Sequence, residues 1–178
     1  MAVTKMARRS PAADRARPHE AYKDELFARI MALEPRSVLD VGCGDGALLA
    51  RLHAAGCPQV FGLEPEAESA ALARAGGVDV RDGRAERLPF PDRGVEVVVL
   101  DYVAHHVERL DQALLEAARV AARAVIVLDG WYEPDLPSQR AAAAFDGWLK
   151  RIDRRGGMVH NPCPTVADLV RPFLALPD

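Results

Sequence analysis

One stretch decides the fold of this 178-residue chain: Ser37-Val38-Leu39-Asp40-Val41-Gly42-Cys43-Gly44-Asp45-Gly46-Ala47-Leu48-Leu49. An apolar run ends in an acid, three glycines follow at every second position, and apolar residues then resume at helical spacing. The pattern predicts a buried strand, a glycine-rich turn and the start of a helix. Because glycine has no Cβ, such a turn lets a ligand approach the backbone closely.

Outward from this stretch, further segments predict alternating strands and helices. The predicted strands are 59–64, 78–80, 95–101 and 124–129, and the predicted helices are 18–33, 47–55, 67–75 and 110–122. The strands at 95–101 and 124–129 are nearly continuous in apolar residues, as a parallel sheet covered on both faces requires. The sequence therefore predicts an α/β fold built on a doubly wound sheet.

The C-terminal part, residues 131–178, is predicted to be mainly helical. Ser138 is expected to cap a helix that reaches about Arg155. Thr165-x-x-Asp168 has the spacing of a capping box and predicts a second, short helix. The apolar residues of the longer helix fall at helical spacing and are expected to be its buried face; they are Phe145, Trp148, Leu149 and Ile152.

Composition limits the possible partners and compartments. The net charge is −3, so we expect no general attraction for nucleic acid or for an anionic membrane. No apolar run approaches the ~20 residues that span a bilayer. The three cysteines are odd in number and scattered, so we expect no disulfide framework, which fits a protein of the reducing cytoplasm. Residues 1–17 are basic without the apolar core of a signal peptide, so we expect a disordered tail before a single domain at 18–178.

Acidic residues end several of the predicted strands, among them Asp40, Glu64 and Asp101. In a doubly wound sheet, ligands bind beyond the carboxyl ends of the strands. A dinucleotide fits there, because Gly42-x-Gly44-x-x-Ala47 matches its fingerprint and Glu64 has the spacing of a ribose-binding acid. S-adenosylmethionine fits as well: the Gly42 carbonyl can accept from its ammonium, Asp40 adds negative potential, and Glu64 can accept both ribose hydroxyls. These residues alone leave both cofactors open.

The run from Val38 to Gly46 resembles motif I of the class I S-adenosylmethionine-dependent methyltransferases. Further matches follow in the order of that family: Glu64, Ala85–Asp92, Val97–Val99, His105-His106-Val107 and Val125–Asp129. The pattern is most similar to the small-molecule subgroup that includes quinone-biosynthesis methyltransferases. The resemblance implies a Rossmann-like, mostly parallel sheet with strand order 3-2-1-4-5.

The resemblance also implies an enzyme that transfers a methyl group from S-adenosylmethionine to a small molecule. His106 is the first candidate for a general base, and His105 is the second. Tyr22, Trp131 and Tyr132 are candidates for the acceptor pocket. No metal is expected, because His160-x-x-Cys163 is half of a metal motif without a second half. The residues that the resemblance assigns to the cofactor are Asp40, Gly42, Cys43, Gly44, Glu64, Arg84, Ala85 and Asp101.

Two features depart from the family pattern. Arg84 stands where the family has an acid that meets the adenine amino group, and an arginine cannot accept a hydrogen bond. The backbone of Arg84 and Ala85 remains as the candidate adenine contact. The family normally has two more strands, and no run after Thr165 predicts one. Either the chain is a truncated or naturally short form, or a partner completes the sheet, for which a second copy at the open edge of the fifth strand is the candidate. These departures support a first alternative to the methyltransferase, a non-catalytic binding or scaffold protein of this fold. The dinucleotide fingerprint supports a second alternative, an NAD(P)-dependent oxidoreductase.

Overall fold

This computed structural model describes residues 18–175 of the chain. Within them lie six α-helices and five strands. The expected tail at residues 1–17 lies outside the described residues. Two short 3-10 helices, Ala104–His106 and Arg171–Ala175, complete the structure. The helices are α1 (Pro18–Met31), α2 (Ala47–Ala54), α3 (Ala67–Ala75), α4 (Leu110–Val120), α5 (Pro137–Arg155) and α6 (Val166–Val170). The strands are β1 (Ser37–Val41), β2 (Gln59–Leu63), β3 (Asp79–Arg81), β4 (Val95–Asp101) and β5 (Ala121–Leu128).

The five strands form one parallel sheet in the order β3-β2-β1-β4-β5, which confirms the predicted topology. β1 is the central strand: Val38 pairs with Val60 of β2 on one side and with Val97 of β4 on the other. The strand order reverses beside β1, and ligands bind at such a switch point. The stretch that decides the fold therefore also places its glycine turn where a ligand site is expected.

The two faces of the sheet carry separate hydrophobic clusters, because successive strand residues point to opposite sides. Val38 and Val97 belong to the cluster that includes Leu26, Leu49 and Leu52 of α1 and α2. Residues on the other face, such as Leu39, Val98 and Leu100, pack with Ala113 and Ala117 of α4. All five residues of β1 are buried. Burial on both faces explains why the central strands are apolar without alternation.

Arg119 of α4 fixes the two-proline loop that leads from β3 to β4. Its guanidinium donates to the carbonyl oxygens of Leu88 (3.1 Å) and Phe90 (2.9 Å) and to Oδ1 of Asp92 (2.8 Å). Two further hydrogen bonds of 2.7 Å join it to Glu116. The planar guanidinium has enough N–H donors for all of these hydrogen bonds, whereas a lysine at this position would have too few.

The C-terminal helices differ in part from the expectation. The capping box of Thr165 and Asp168 is confirmed, but α5 begins at Pro137 and has no side-chain cap from Ser138. The expected buried face of α5 is wrong: Phe145, Trp148, Leu149 and Ile152 are 40–61% exposed. The periodicity revealed an apolar stripe but not which element would cover it.

The membrane expectation is tested only for the helices. Within residues 18–175, no helix combines the length and the apolar character that crossing a bilayer requires.

Candidate functional site

The glycine turn after β1 is closed on one side and open on the other. Gly42 has φ +73°, and a Cβ placed there would lie 2.5 Å from Cγ2 of Val103. Gly44 has φ +55°, and a Cβ there would meet no atom of the described residues within 4 Å. The backbone N–H of Gly42 donates to the carbonyl of Leu63, which ties the turn to the end of β2 (2.6 Å). A ligand can therefore approach the backbone at Gly44.

Glu64 joins the glycine turn to the start of α3. Glu64 is 8% exposed, and its carboxylate accepts hydrogen bonds from the backbone N–H groups of Gly44 and Glu66, each at 2.9 Å. An ionised carboxylate has about four acceptor positions, so two remain for ligand hydroxyls. Glu64 is thus fixed in place by the fold and still able to accept from a ribose.

Asp40 is a buried acid whose Oδ1 has no hydrogen-bond partner among the described residues. Burial raises the pKa of Asp40 well above its ordinary value, and the neighbouring Asp101 and Glu64 raise it further. Burial raises the pKa of Cys43 to about 12, with contributions from the nearby Asp40 and Glu64, so its thiol stays protonated. The three acids that converge on the turn repel one another in their ionised forms, and a cationic ligand would relieve that repulsion.

The substitution Asp40→Asn is expected to change how stability depends on pH. In the native chain the Asp40 carboxyl keeps its proton at pH values where the unfolded chain has lost it. The free energy of unfolding therefore falls as the pH rises from the ordinary aspartate pKa, about 3.9, towards the raised native pKa. Asparagine has no proton to lose, so this loss of stability should be absent from the variant. The free energy of unfolding of the variant should therefore rise relative to that of the wild type, by at most about 1.4 kcal/mol per pH unit.

Urea unfolding of both proteins over a pH series measures this effect. A difference in the free energy of unfolding that stays constant with pH would contradict the raised pKa of Asp40.

Two charged side chains of the segment after β3 are engaged in ion pairs. Nη1 of Arg84 lies 2.5 Å from Oε1 of Glu108 in an exposed ion pair. Asp82, the nearest preceding acid, pairs with Arg74 at 2.8 Å. Ala85 is buried. Of the two residues assigned to adenine, Arg84 therefore has its guanidinium engaged elsewhere and offers only its backbone.

The two adjacent histidines have different surroundings. His105 is buried, and its Nδ1 lies 2.6 Å from Oδ1 of Asp129, which follows β5. His106 is exposed, and its Nδ1 lies 3.0 Å from the carbonyl oxygen of Val159. Partial loss of hydration lowers the pKa of His106, and the neighbouring His105 and His160 add to the effect.

A cavity of about 310 Å³ lies beyond the ends of β4 and β5. Its lining includes Trp131 and Tyr132, two of the residues predicted for an acceptor pocket, and His105, but not His106.

Tyr22, the third residue predicted for the acceptor pocket, lies next to this cavity, with its ring 5.1 Å from that of Tyr102. Burial and the nearby Asp101 raise the pKa of Tyr22 to about 12. The lining also includes Tyr102, Lys150, His160 and Cys163.

Sequence reasoning missed Tyr102 and Lys150. Lys150 is 2% exposed and lies 3.0 Å from Asp146 and 2.9 Å from Sγ of Cys163. A lysine inside a helical pattern reads as a surface residue, and no local signal marks its burial. Tyr102 has φ +56°, a strained value for a tyrosine that only the structure reveals.

A second cavity, of about 430 Å³, is larger but lies between the starts of α4 and the C-terminal 3-10 helix. Its charged side chains pair with each other, as Arg171 does with Asp111 at 2.9 Å. We therefore take the smaller cavity, which adjoins the strand ends, as the functional one.

Comparisons with known proteins show which proteins this chain is similar to. A family profile described as "Methyltransferase domain" matches residues 39–128. The ubiquinone/menaquinone biosynthesis C-methyltransferase UbiE of Methylobacterium nodulans is 32% identical over 113 residues, which are 57% of this chain and 45% of that protein. The fatty-acid O-methyltransferase of Mycolicibacterium smegmatis is 30% identical over 172 residues, which are 86% of this chain and 62% of that protein.

The crystal structure of YcgJ from Bacillus subtilis has the same fold, with a TM-score of 0.67 at 22% identity, over 88% of this chain and 68% of that one. The chain spans about half the length of the curated relatives that it matches.

Proposed function

Because this chain belongs to the class I S-adenosylmethionine-dependent methyltransferase family, we propose that it transfers the methyl group of S-adenosylmethionine to a small-molecule acceptor. One observation carries the proposal: the glycine turn is open at Gly44 beside two buried acids, Asp40 and Glu64. A dinucleotide would bring phosphates into this negative potential, whereas S-adenosylmethionine brings a cation. The nicotinamide-dependent alternative is therefore disfavoured.

The residues of the turn fit the parts of the cofactor. The open side of Gly44 suits the methionine and ribose portions, and Glu64 has free acceptor positions for the ribose diol. A cationic group of the cofactor would favour the ionised form of Asp40. The backbone beside the buried Ala85 would meet the adenine. When bound, S-adenosylmethionine supplies a methyl group that its positive sulfur already activates. The chain then has to orient the acceptor and exclude water, which contributes on the order of 7–11 kcal/mol in well-aligned reactions.

We propose His105, ahead of His106, as the base for an oxygen or nitrogen acceptor. His105 lines the cavity, and Asp129 accepts from its Nδ1–H, which leaves Nε2 to take a proton. The aromatic side chains of Trp131 and Tyr132 would pack against the body of the acceptor. The similar proteins include a quinone-biosynthesis C-methyltransferase and a fatty-acid O-methyltransferase. This supports a small molecule as the methyl acceptor but leaves the methylated atom open.

A thermal-unfolding titration with S-adenosylhomocysteine tests the cofactor assignment. We expect stabilisation of about 2.7 kcal/mol at a hundredfold excess over the Kd, and no stabilisation by NAD. The opposite result would favour the oxidoreductase. If calorimetry at millimolar S-adenosylmethionine detects no binding, the non-catalytic alternative is correct; the engagement of Arg84 with Glu108 is the observation that favours it.

We also propose that a second copy of the chain pairs at the edge of β5 and that the protein acts in the cytoplasm. β5 is the last strand of the described sheet, and its eight residues offer an edge for pairing. The three cysteines are free thiols, which suits a reducing compartment.

A further inference from the structure

Three histidine rings meet beyond the carboxyl end of β4. The ring centroids of His105 and His106 are 4.2 Å apart, those of His106 and His160 are 4.5 Å apart, and those of His105 and His160 are 5.2 Å apart. Each residue offers a ring nitrogen, and these three nitrogens all lie within 4.8 Å of one another. The fold therefore brings His160 next to two histidines that lie far earlier in the sequence.

Each of the three rings is held at its Nδ1 by an oxygen atom. Nδ1 of His105 lies 2.6 Å from Asp129, Nδ1 of His160 lies 2.6 Å from Asp153, and Nδ1 of His106 lies 3.0 Å from a backbone carbonyl. This arrangement fixes the tautomer with the lone pair on Nε2. In metal centres the ligating histidine donates its other ring N–H to a carboxylate or a carbonyl in this way, which orients the ring and raises its basicity.

The loop that carries His160 is fastened to the 3-10 helix that carries the other two histidines. The backbone N–H of Asn161 donates to the carbonyl of His105 (2.7 Å), and Nδ2 of Asn161 donates to the carbonyl of Val107 (2.8 Å). These contacts bring together residues that are far apart in the sequence, so the three imidazoles are positioned by the fold before any ligand binds.

We propose that His105, His106 and His160 form a binding site for a divalent transition-metal ion, with Zn²⁺ as the expected ion. Imidazole nitrogens suit zinc, copper, iron and nickel, and three histidines with a fourth, open position form a known type of zinc site. The exposed side of His106 gives the ion access from solvent. This proposal departs from the sequence-based expectation of no metal.

Cys163 is the nearest competing ligand, because His105, Asp129 and Cys163 also form a close group of donors. Its sulfur lies 2.9 Å from Nζ of Lys150, and Asp129 is engaged with His105. We therefore assign the ion to the three imidazoles. An ion there would lie at the wall of the cavity, which His105 and His160 line, and would occupy the nitrogen proposed as the base. The site itself does not depend on methyl transfer.

Calorimetric titration of the full, chelator-treated chain with ZnCl₂ tests the site. We expect one ion per chain and a higher unfolding temperature. His106→Ala and His160→Ala should lose this binding, whereas His53→Ala, an exposed histidine on α2, should keep it. Asp153→Asn keeps all three imidazoles but loses the carboxylate behind His160, and should weaken binding by about 10–100-fold.

Two results would overturn the assignment. One is a wild-type chain that binds no more Zn²⁺ than the His160→Ala variant. The other is a loss of binding with Cys163→Ser that His160→Ala does not reproduce. Thermal unfolding without metal reports whether each variant is folded, and if His160→Ala is not, Asp153→Asn decides the outcome.

Discussion

Gly44→Ala is expected to weaken the binding of S-adenosylhomocysteine by roughly 5–150-fold while the chain stays folded. The added Cβ meets no atom of the described chain within 4 Å, so its cost to stability is the strain of φ +55°, about 1–2 kcal/mol for a residue other than glycine. The space that it fills is the space through which the cofactor approaches the turn. Overpacking of such a contact costs about 1–3 kcal/mol, which gives the stated change in Kd.

Substitutions at two other glycines distinguish an effect on cofactor binding from an effect on folding. Gly77 has φ +86° and an equally open Cβ position, but it lies outside the glycine turn, just before β3. Gly77→Ala should therefore cost similar stability and leave the Kd unchanged. Gly42→Ala should mainly destabilise the fold, because its Cβ would lie 2.5 Å from Val103. Calorimetry and urea unfolding of the three variants measure both quantities. If Gly44→Ala binds as well as Gly77→Ala, the cofactor does not approach the turn at Gly44.

Glu64→Ala is expected to lower both stability and binding. Its removal leaves the backbone N–H groups of Gly44 and Glu66 without their acceptor, and each such loss costs about 1–3 kcal/mol when the donor is shielded from water. The ribose hydroxyls lose a charged acceptor as well. A hydrogen bond to a charged group contributes about 1.5–3 kcal/mol, so the Kd should rise roughly 10–150-fold.

Glu66→Ala is the matched control for this substitution. Glu66 also accepts two backbone N–H groups, from Glu68 at 3.0 Å and Ser69 at 2.6 Å, but it does so as the exposed N-cap of α3. Its loss should cost about 1 kcal/mol of stability and leave the Kd for S-adenosylhomocysteine unchanged. Equal Kd values for the two variants would remove Glu64 from the cofactor site.

The fold and the glycine turn were predictable because their signals are local. In β4, the run from Val97 to Leu100 is apolar because both of its faces are buried, and that continuity is visible in the sequence. The positions of Gly42 and Gly44 are likewise marked by a residue type that tolerates positive φ. Asp40 and Glu64 lie at the carboxyl ends of β1 and β2, and any parallel sheet brings such strand ends to one edge.

The acceptor side could not be predicted in the same way, because its residues meet through irregular segments. His160 reaches the 3-10 helix only through the path of the loop after α5, and no periodic pattern encodes that path. The guanidinium of Arg84 turns to Glu108, 24 positions further along the chain. The apolar stripe of α5 was visible in the sequence, but the partner of a helix face is a property of the tertiary structure.

The central position of β1 also determines the order in which the sheet can assemble during synthesis. Ser37 pairs with Gln59, 22 positions later, whereas Val38 pairs with Val97, 59 positions later. The glycine turn and Glu64 are therefore synthesised before β4. At about 5–20 residues per second, the interval between Gln59 and Val97 lasts about 2–8 s. During this time β4 is not yet available to pair with β1, whose five residues are all buried in the folded chain, so one edge of β1 is open to pairing with other chains.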